Sequence, residues 1–274
     1  TPYTPLGLSA AFAPTDITTD ILAAFGEVVL PLTERSNITL GARYEDYGSD
    51  GGSTFDPQVR AKFQLTDWLA IRGSASTTFR APPQTALTPN PLASIPTILG
   101  RPTALDLIGN PDLDPETATT YSVGLIVQAG GLDLGIDYYT YDVADILTSE
   151  PQNAIINAVF PNGAGGANNC ATVDATFLAD HFVFTGACSA ANLAKVQLLR
   201  INGPDATFSG IDFRASYRFN DVLGGELTIG AVANQTLTYE FDGFTVAGLA
   251  VAGFDAVGKL NAGTLAHTLP EWKG

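Results

Sequence analysis

The sequence has no methionine, only two cysteines and two histidines, and just 15% charged side chains among its 274 residues. Soluble globular domains carry nearer a quarter charged residues, so this chain points to a poorly hydrated surface. Long apolar runs are missing too. No stretch approaches 18 consecutive hydrophobic residues, which excludes a transmembrane helix. Yet hydrophobic residues make up 45% of the chain, and they must be spread residue by residue, as along amphipathic strands. The 13 basic residues face 28 acidic ones, a formal charge of −15. So few cations cannot neutralise a phosphate backbone, and nucleic acid is excluded as a partner. The same balance disfavours adhesion to an anionic membrane surface. With Thr1-Pro2-Tyr3 at its start and no signal-peptide pattern, the chain is expected to be a fragment or a processed piece.

Signatures of chemistry are scarce as well. His181 and His267 have no Ser or Cys partner motif, and no GxSxG, P-loop or HExxH occurs, so neither an enzyme nor a cofactor is expected. Cys170 and Cys188 lie in a Gly/Asn/Ala-rich stretch with one nearby imidazole and no CxxC, which argues against a metal site. They are either a loop disulfide, worth about 3 kcal/mol in an oxidising compartment, or two unrelated buried thiols; the disulfide is the expectation. Asp106, Asp112, Asp114 and Glu116 form an acidic group without EF-hand spacing. Pro111 and Pro115 mark a rigid turn that these acids are expected to cap or solvate. The glycine-rich Asn162–Asn169 stretch reads as a flexible loop tip.

What the sequence does have is period-2 alternation, the mark of a strand with two unlike faces. Ile38, Leu40, Ala42 and Tyr44 alternate with Asn37, Thr39, Gly41, Arg43 and Glu45. Phe55 to Leu65 oppose Gln58, Arg60, Lys62 and Gln64, with Pro57 expected at the start of pairing. Similar patterns cover 69–80, 120–128, 132–138, 211–219 and 226–241, and more weakly 21–31. This makes about eight strands of roughly ten residues, the length that crosses a bilayer when tilted. Every second connection is tight, near 33–36, 66–68, 129–131 and 220–225; the others are long, notably 81–116, 144–202 and 242–269. Membrane barrels alternate short periplasmic turns with long outer loops, whereas nothing in a sandwich enforces that phase. Aromatics near strand ends, from Tyr44, Tyr47, Trp68 and Phe79 to Tyr138, Tyr141, Tyr217, Phe219, Tyr239 and Phe241, suit an interfacial girdle. The expected fold is all-β: an antiparallel transmembrane β-barrel segment.

Three segments carry a family resemblance. Thr66-Asp67-Trp68-Leu69 leads to Phe79-Arg80-Ala81-Pro82-Pro83; Gly109-Asn110-Pro111-Asp112-Leu113-Asp114-Pro115-Glu116 precedes Tyr121-Ser122-Val123-Gly124; and Asn202-Gly203 precedes Phe208-Ser209-Gly210-Ile211-Asp212. In order and spacing they are similar to segments of TonB-dependent outer-membrane receptors. The resemblance implies a piece of a larger, 22-stranded barrel closed by a plug, residues 1–274 being a partial barrel domain without the plug and final strands. It also implies partners: outer-membrane lipid, a TonB complex reached through the plug, and a scarce nutrient of siderophore, cobalamin or glycan type. A passive porin-like barrel and a secreted β-sandwich or adhesin are the alternatives. By parity the interior charges are Arg43, Glu45, Arg60, Lys62, Arg72, Arg80, Asp137, Asp212, Arg214 and Arg218. Of these, Arg43, Arg60, Arg72, Arg80, Asp137, Asp212 and Arg214 are the candidates to face substrate, with Arg80 favoured because it enters a long loop.

Overall fold

A strand with one apolar and one polar face needs two different surroundings, and eight such strands lie side by side in a computed structural model. The structure describes residues 18, 20–48, 52–89, 92–261 and 264–274. The strands are β1 (Leu22–Thr33), β2 (Ser36–Asp46), β3 (Ser53–Gln64), β4 (Leu69–Arg80), β5 (Glu116–Ala129), β6 (Leu132–Ala144), β7 (Ala206–Val222) and β8 (Gly225–Phe241). Each pairs antiparallel with its sequence neighbours, an up-and-down meander. Phe254–Asp255 and Trp272–Lys273 add two short strands against β8. Among the described residues β1 pairs only with β2, so the sheet is open. Among the described residues no helix is long and apolar enough to cross a membrane.

The connections keep the expected phase. Glu34–Arg35, Leu65–Trp68, Gly130–Gly131 and Leu223–Gly224 turn the chain at one end, and all long excursions leave from the other. The last turn is tighter than the sequence suggested, because β7 runs through Val222 and leaves only Leu223 and Gly224 (φ 54° and 79°). Both residues are left-handed, as a two-residue hairpin turn with strand-matched twist requires.

Pro57 does not begin the ladder. β3 pairs with β2 from Ser53 onward, while pairing with β4 starts at Gln58. The imide therefore sits where the side facing β4 is still unpaired, and no ladder bond is lost. β8 also departs from simple parity. Ser209 opposes Thr238 but Gly210 opposes Thr236, so Leu237 is bulged out and everything beyond it changes face. Leu227 and Ile229 lie on the apolar side, whereas Tyr239 and Phe241 join the polar side, as does Tyr141 on β6. Those three are not girdle residues.

The apolar side, with Val28, Leu40, Val59, Leu125 and Ile229, stays exposed. The main buried cluster, which includes Ile98, Ile155, Val159, Phe160, Phe182 and Val196, contains no residue of β1 to β8. It lies instead in the two longest excursions, which were expected to be loops. Strands Leu92–Ser94 and Ala104–Ile108 from the first join Leu147–Ser149, Phe182–Phe184 and Leu193–Asn202 from the second in one five-stranded sheet. Its central pair, Ala104–Ile108 with Lys195–Leu199, is parallel. Helices α1 (Gln84–Leu87), α2 (Gln152–Val159) and α3 (Ala175–His181) complete this cap. The Asn162–Asn169 stretch is tied to it, with Asn169 donating its N–H to the Val159 carbonyl and its Nδ2 to that of Ala158.

A charged belt on the polar wall

The antiparallel register brings polar residues from seven strands into one row. Asn37 opposes Lys62, Lys62 opposes Arg72, and Arg72 opposes Gly124. Gly124 opposes Asp137, Asp137 opposes Asp212, and Asp212 opposes Asn234. Cations stand on β3 and β4, anions on β6 and β7, and a glycine lies between. That glycine decides the wiring: a Cβ on Gly124 would collide with the Asp137 carboxylate. Its absence lets Arg72 reach across β5, with Nε 2.6 Å from Asp137 Oδ1 and Nη2 on the other oxygen, a bidentate pair. Asp212 instead accepts from Asn234 Nδ2 at 2.8 Å, and the same amide donates to the Tyr139 hydroxyl at 2.8 Å. Among the described residues neither Lys62 nor Asp212 joins an ion pair. The belt thus ends in one unmatched charge of each sign, above a concavity of about 950 Å³.

The remaining candidates share the face without joining the belt. Arg43 forks onto Glu45, which also accepts from the Tyr47 hydroxyl. Arg60 pairs with Glu27 at 2.7 Å, and Arg214 lies 3.4 Å from Asp133. Arg218 has no ion pair among the described residues. Arg80 holds Glu116 directly across the ladder at 2.6 Å, and the same Glu116 oxygen takes the Leu147 N–H at 3.1 Å. Arg80 therefore anchors the root of the cap to the wall. The acidic group disperses: Asp106 is buried against Lys195 at 2.6 Å, Glu116 belongs to Arg80, and Asp112 and Asp114 shape the turn through Asn110 and Asn202.

Parity alone missed a run of rings on the same face. Tyr139 and Tyr141 pack with Phe208, Phe208 meets Tyr239 at 5.1 Å, Tyr239 meets Phe241 at 5.1 Å, and Phe241 stacks on Phe254 at 5.0 Å. Gly210 makes room for it, since a Cβ there would strike the Tyr139 hydroxyl. The signal was present as Gly210 opposite an aromatic in a strand, but the β8 bulge had to be known to continue the run.

In the cap, Cys170 and Cys188 are disulfide-bonded, and Asp174 caps α3 by accepting the Thr176 and Phe177 N–H groups. His181, 4% exposed, points Nδ1 at the Phe177 carbonyl (2.9 Å) and Nε2 at Glu150 (3.2 Å), itself 4% exposed. Both nitrogens face acceptors, so the doubly protonated ring satisfies them. Burial, the largest influence, pulls its pKa down. The hydrogen bonds to Glu150 and Phe177 and the Glu150 and Asp180 charges outweigh it, and the value lies above the usual one.

A family model for the TonB-dependent receptor-like β-barrel matches residues 1–274. The chain belongs to this receptor family. The protein therefore resides in the outer membrane. An iron-regulated outer membrane virulence protein of Vibrio cholerae is 31% identical over 147 residues, 53% of this chain and 21% of its own length. A probable TonB-dependent siderophore receptor PirA of Acinetobacter baumannii is 26% identical over 46% of the chain and 17% of its own length. Among solved structures, a mutant ferric enterobactin receptor (PfeA) of Pseudomonas aeruginosa superposes with a TM-score of 0.56 at 21% identity, covering 79% of this chain and 26% of that one. The siderophore receptor PirA of the same organism gives 0.53 at 17%, over 82% and 34%. These two likenesses concern the fold. The chain spans about a fifth of the length of the curated relatives it matches.

Proposed function

We propose that this chain is one section of wall in an energy-dependent importer of an iron chelate, with the Lys62–Arg72–Gly124–Asp137–Asp212 row facing the plug and the passing substrate. The family and the iron-regulated and siderophore-receptor relatives support the reading. The single observation that carries it is the belt: a charged row across the polar wall, with Lys62 and Asp212 in no ion pair among the described residues. A barrel wall buries such charges only where something polar faces them, and a plug or a polar chelate does so. A partial barrel domain over residues 1–274 is the domain organisation that fits.

The test is uptake of a radiolabelled ferric siderophore by iron-starved cells carrying the complete protein, with and without a working TonB system. Uptake abolished without TonB, and reduced roughly tenfold by Lys62→Ala with Asp212→Ala, is expected, tenfold being about 1.4 kcal/mol. Solute flux that ignores TonB would assign the wall to a passive channel instead.

A further inference from the structure

Between the cap sheet and the segment that follows β8 lies a second cavity, of about 560 Å³, within the usual size of a small-molecule site. Leu105, Leu107 and Leu198 of the cap sheet line one side; Phe244 and Phe254 line the other. Among the described residues the only charged groups in its lining are acidic, Glu150 and Asp242. Glu150 is already committed, with Oε1 on His181 and Oε2 taking the Leu199 N–H at 2.9 Å. Asp242 is exposed. Among the described residues no cation lines the cavity, so a carboxylate, sulfonate or phosphate entering it would meet repulsion and no partner.

The walls also distinguish between uncharged occupants. Phe254 is the last ring of the run that descends through Phe241, Tyr239 and Phe208 to Tyr139. Offset and edge-to-face geometry rewards another ring beyond the area it buries, and rewards a saturated chain with area alone. We infer that this cavity is a surface site for an uncharged aryl group, set at the outer head of the aromatic run and separate from the charged belt. The occupant is an aryl-bearing small molecule whose charge stays outside the cavity. The inference goes beyond the import reading and does not require it, because binding is read on protein at rest without an energy source.

Photolabelling of the complete protein in native outer-membrane vesicles with benzophenone provides the test. The probe also dissolves in lipid, so adducts on the lipid face of β3 serve as an internal standard. Expected are saturable adducts on the 244–254 segment and on Leu105–Leu107. They should fall roughly tenfold in Leu107→Trp and in Ser94→Trp, a loss of about 1.4 kcal/mol in binding, while the β3 standard is unchanged. Ser94 is exposed at the cavity edge, so its variant keeps the test valid if Leu107→Trp fails to fold. The anionic analogue 4-benzoylbenzoate should label the cap much less than benzophenone. Labelling confined to lipid-facing strands, cap labelling that persists in every folded filled variant, or equal labelling by the anionic analogue or by a neutral alkyl diazirine would each overturn the inference. If uptake fails while the cap is labelled as expected, the import reading falls and the aryl site stands.

Discussion

Gly124 shows how one missing side chain can organise a wall. Its position on β5 between Arg72 and Asp137 is what allows a guanidinium to bridge two strands away. A β-branched residue suits a strand by propensity, yet Gly124→Val should destabilise, because it removes the crossing. Arg72 is nearly half exposed, so we expect a loss of about 1 kcal/mol for the pair. In urea unfolding from lipid vesicles, Gly124→Val and Arg72→Met should therefore be non-additive; full additivity would refute the coupling. At His181 the sign of the pH effect follows from its raised pKa. The folded cap favours the protonated ring, so the stabilisation is complete below the ordinary value of 6.5 and is lost as pH climbs through the raised native value. Amide exchange in α3 and Leu193–Asn202, corrected for intrinsic rate, should accelerate across that window. His181→Gln should abolish the step and cost the cap about 3 kcal/mol at pH 6, the scale of a broken buried pair.

At the level of strands and hairpins, the two faces answer differently to the same substitution. Val59 lies mid-strand on the apolar face of β3, which we propose meets lipid, and its neighbour Gln58 on the polar face, which we propose lines the interior. Val59→Arg should cost about 2–4 kcal/mol of barrel stability and Gln58→Arg little; equal effects would contradict the assignment of faces. Replacing Cys170 and Cys188 by Ser should lower the unfolding free energy of the cap by about 3 kcal/mol, visible as earlier protease cleavage, and leave the wall intact. The eight wall strands were legible because each carries its own alternation and pairs with the next strand in sequence. The cap was not. Leu193–Asn202 alternates too, Val196 and Leu198 being buried beside Lys195 and Gln197. Its partner strand, however, lies far back in the chain, with Asp106 and Lys195 89 residues apart, and the loop phase of a barrel disguised it. For the site, parity delivered the face of every charge but not the pairs, since Arg72–Asp137 depends on a glycine and Arg80–Glu116 on the cap root. The bulge at Leu237 is a local slip that no alternation count reveals.

For the whole molecule, the two longest excursions and the hairpin Phe244–Val251 behave as one body. Arg101 from the first donates to the Ala190 and Ala191 carbonyls of the second, and Leu249 of the hairpin packs on the shared core. Removing residues 92–108 from the complete protein should therefore expose Lys195 and Arg200 to trypsin, although neither is cut out. Continued protection of both sites would show that the second excursion folds by itself.

That parallel pairing also sets an order of assembly. Ala104–Ile108 and Leu193–Asn202 are parallel partners, with the β5–β6 hairpin lying between them in the chain. The two segments can meet only when that hairpin has brought both to the same end of the wall. Non-local pairing of this kind is slow. Closure of the cap is thus expected to be a late folding step, following registration of the middle strands of the wall.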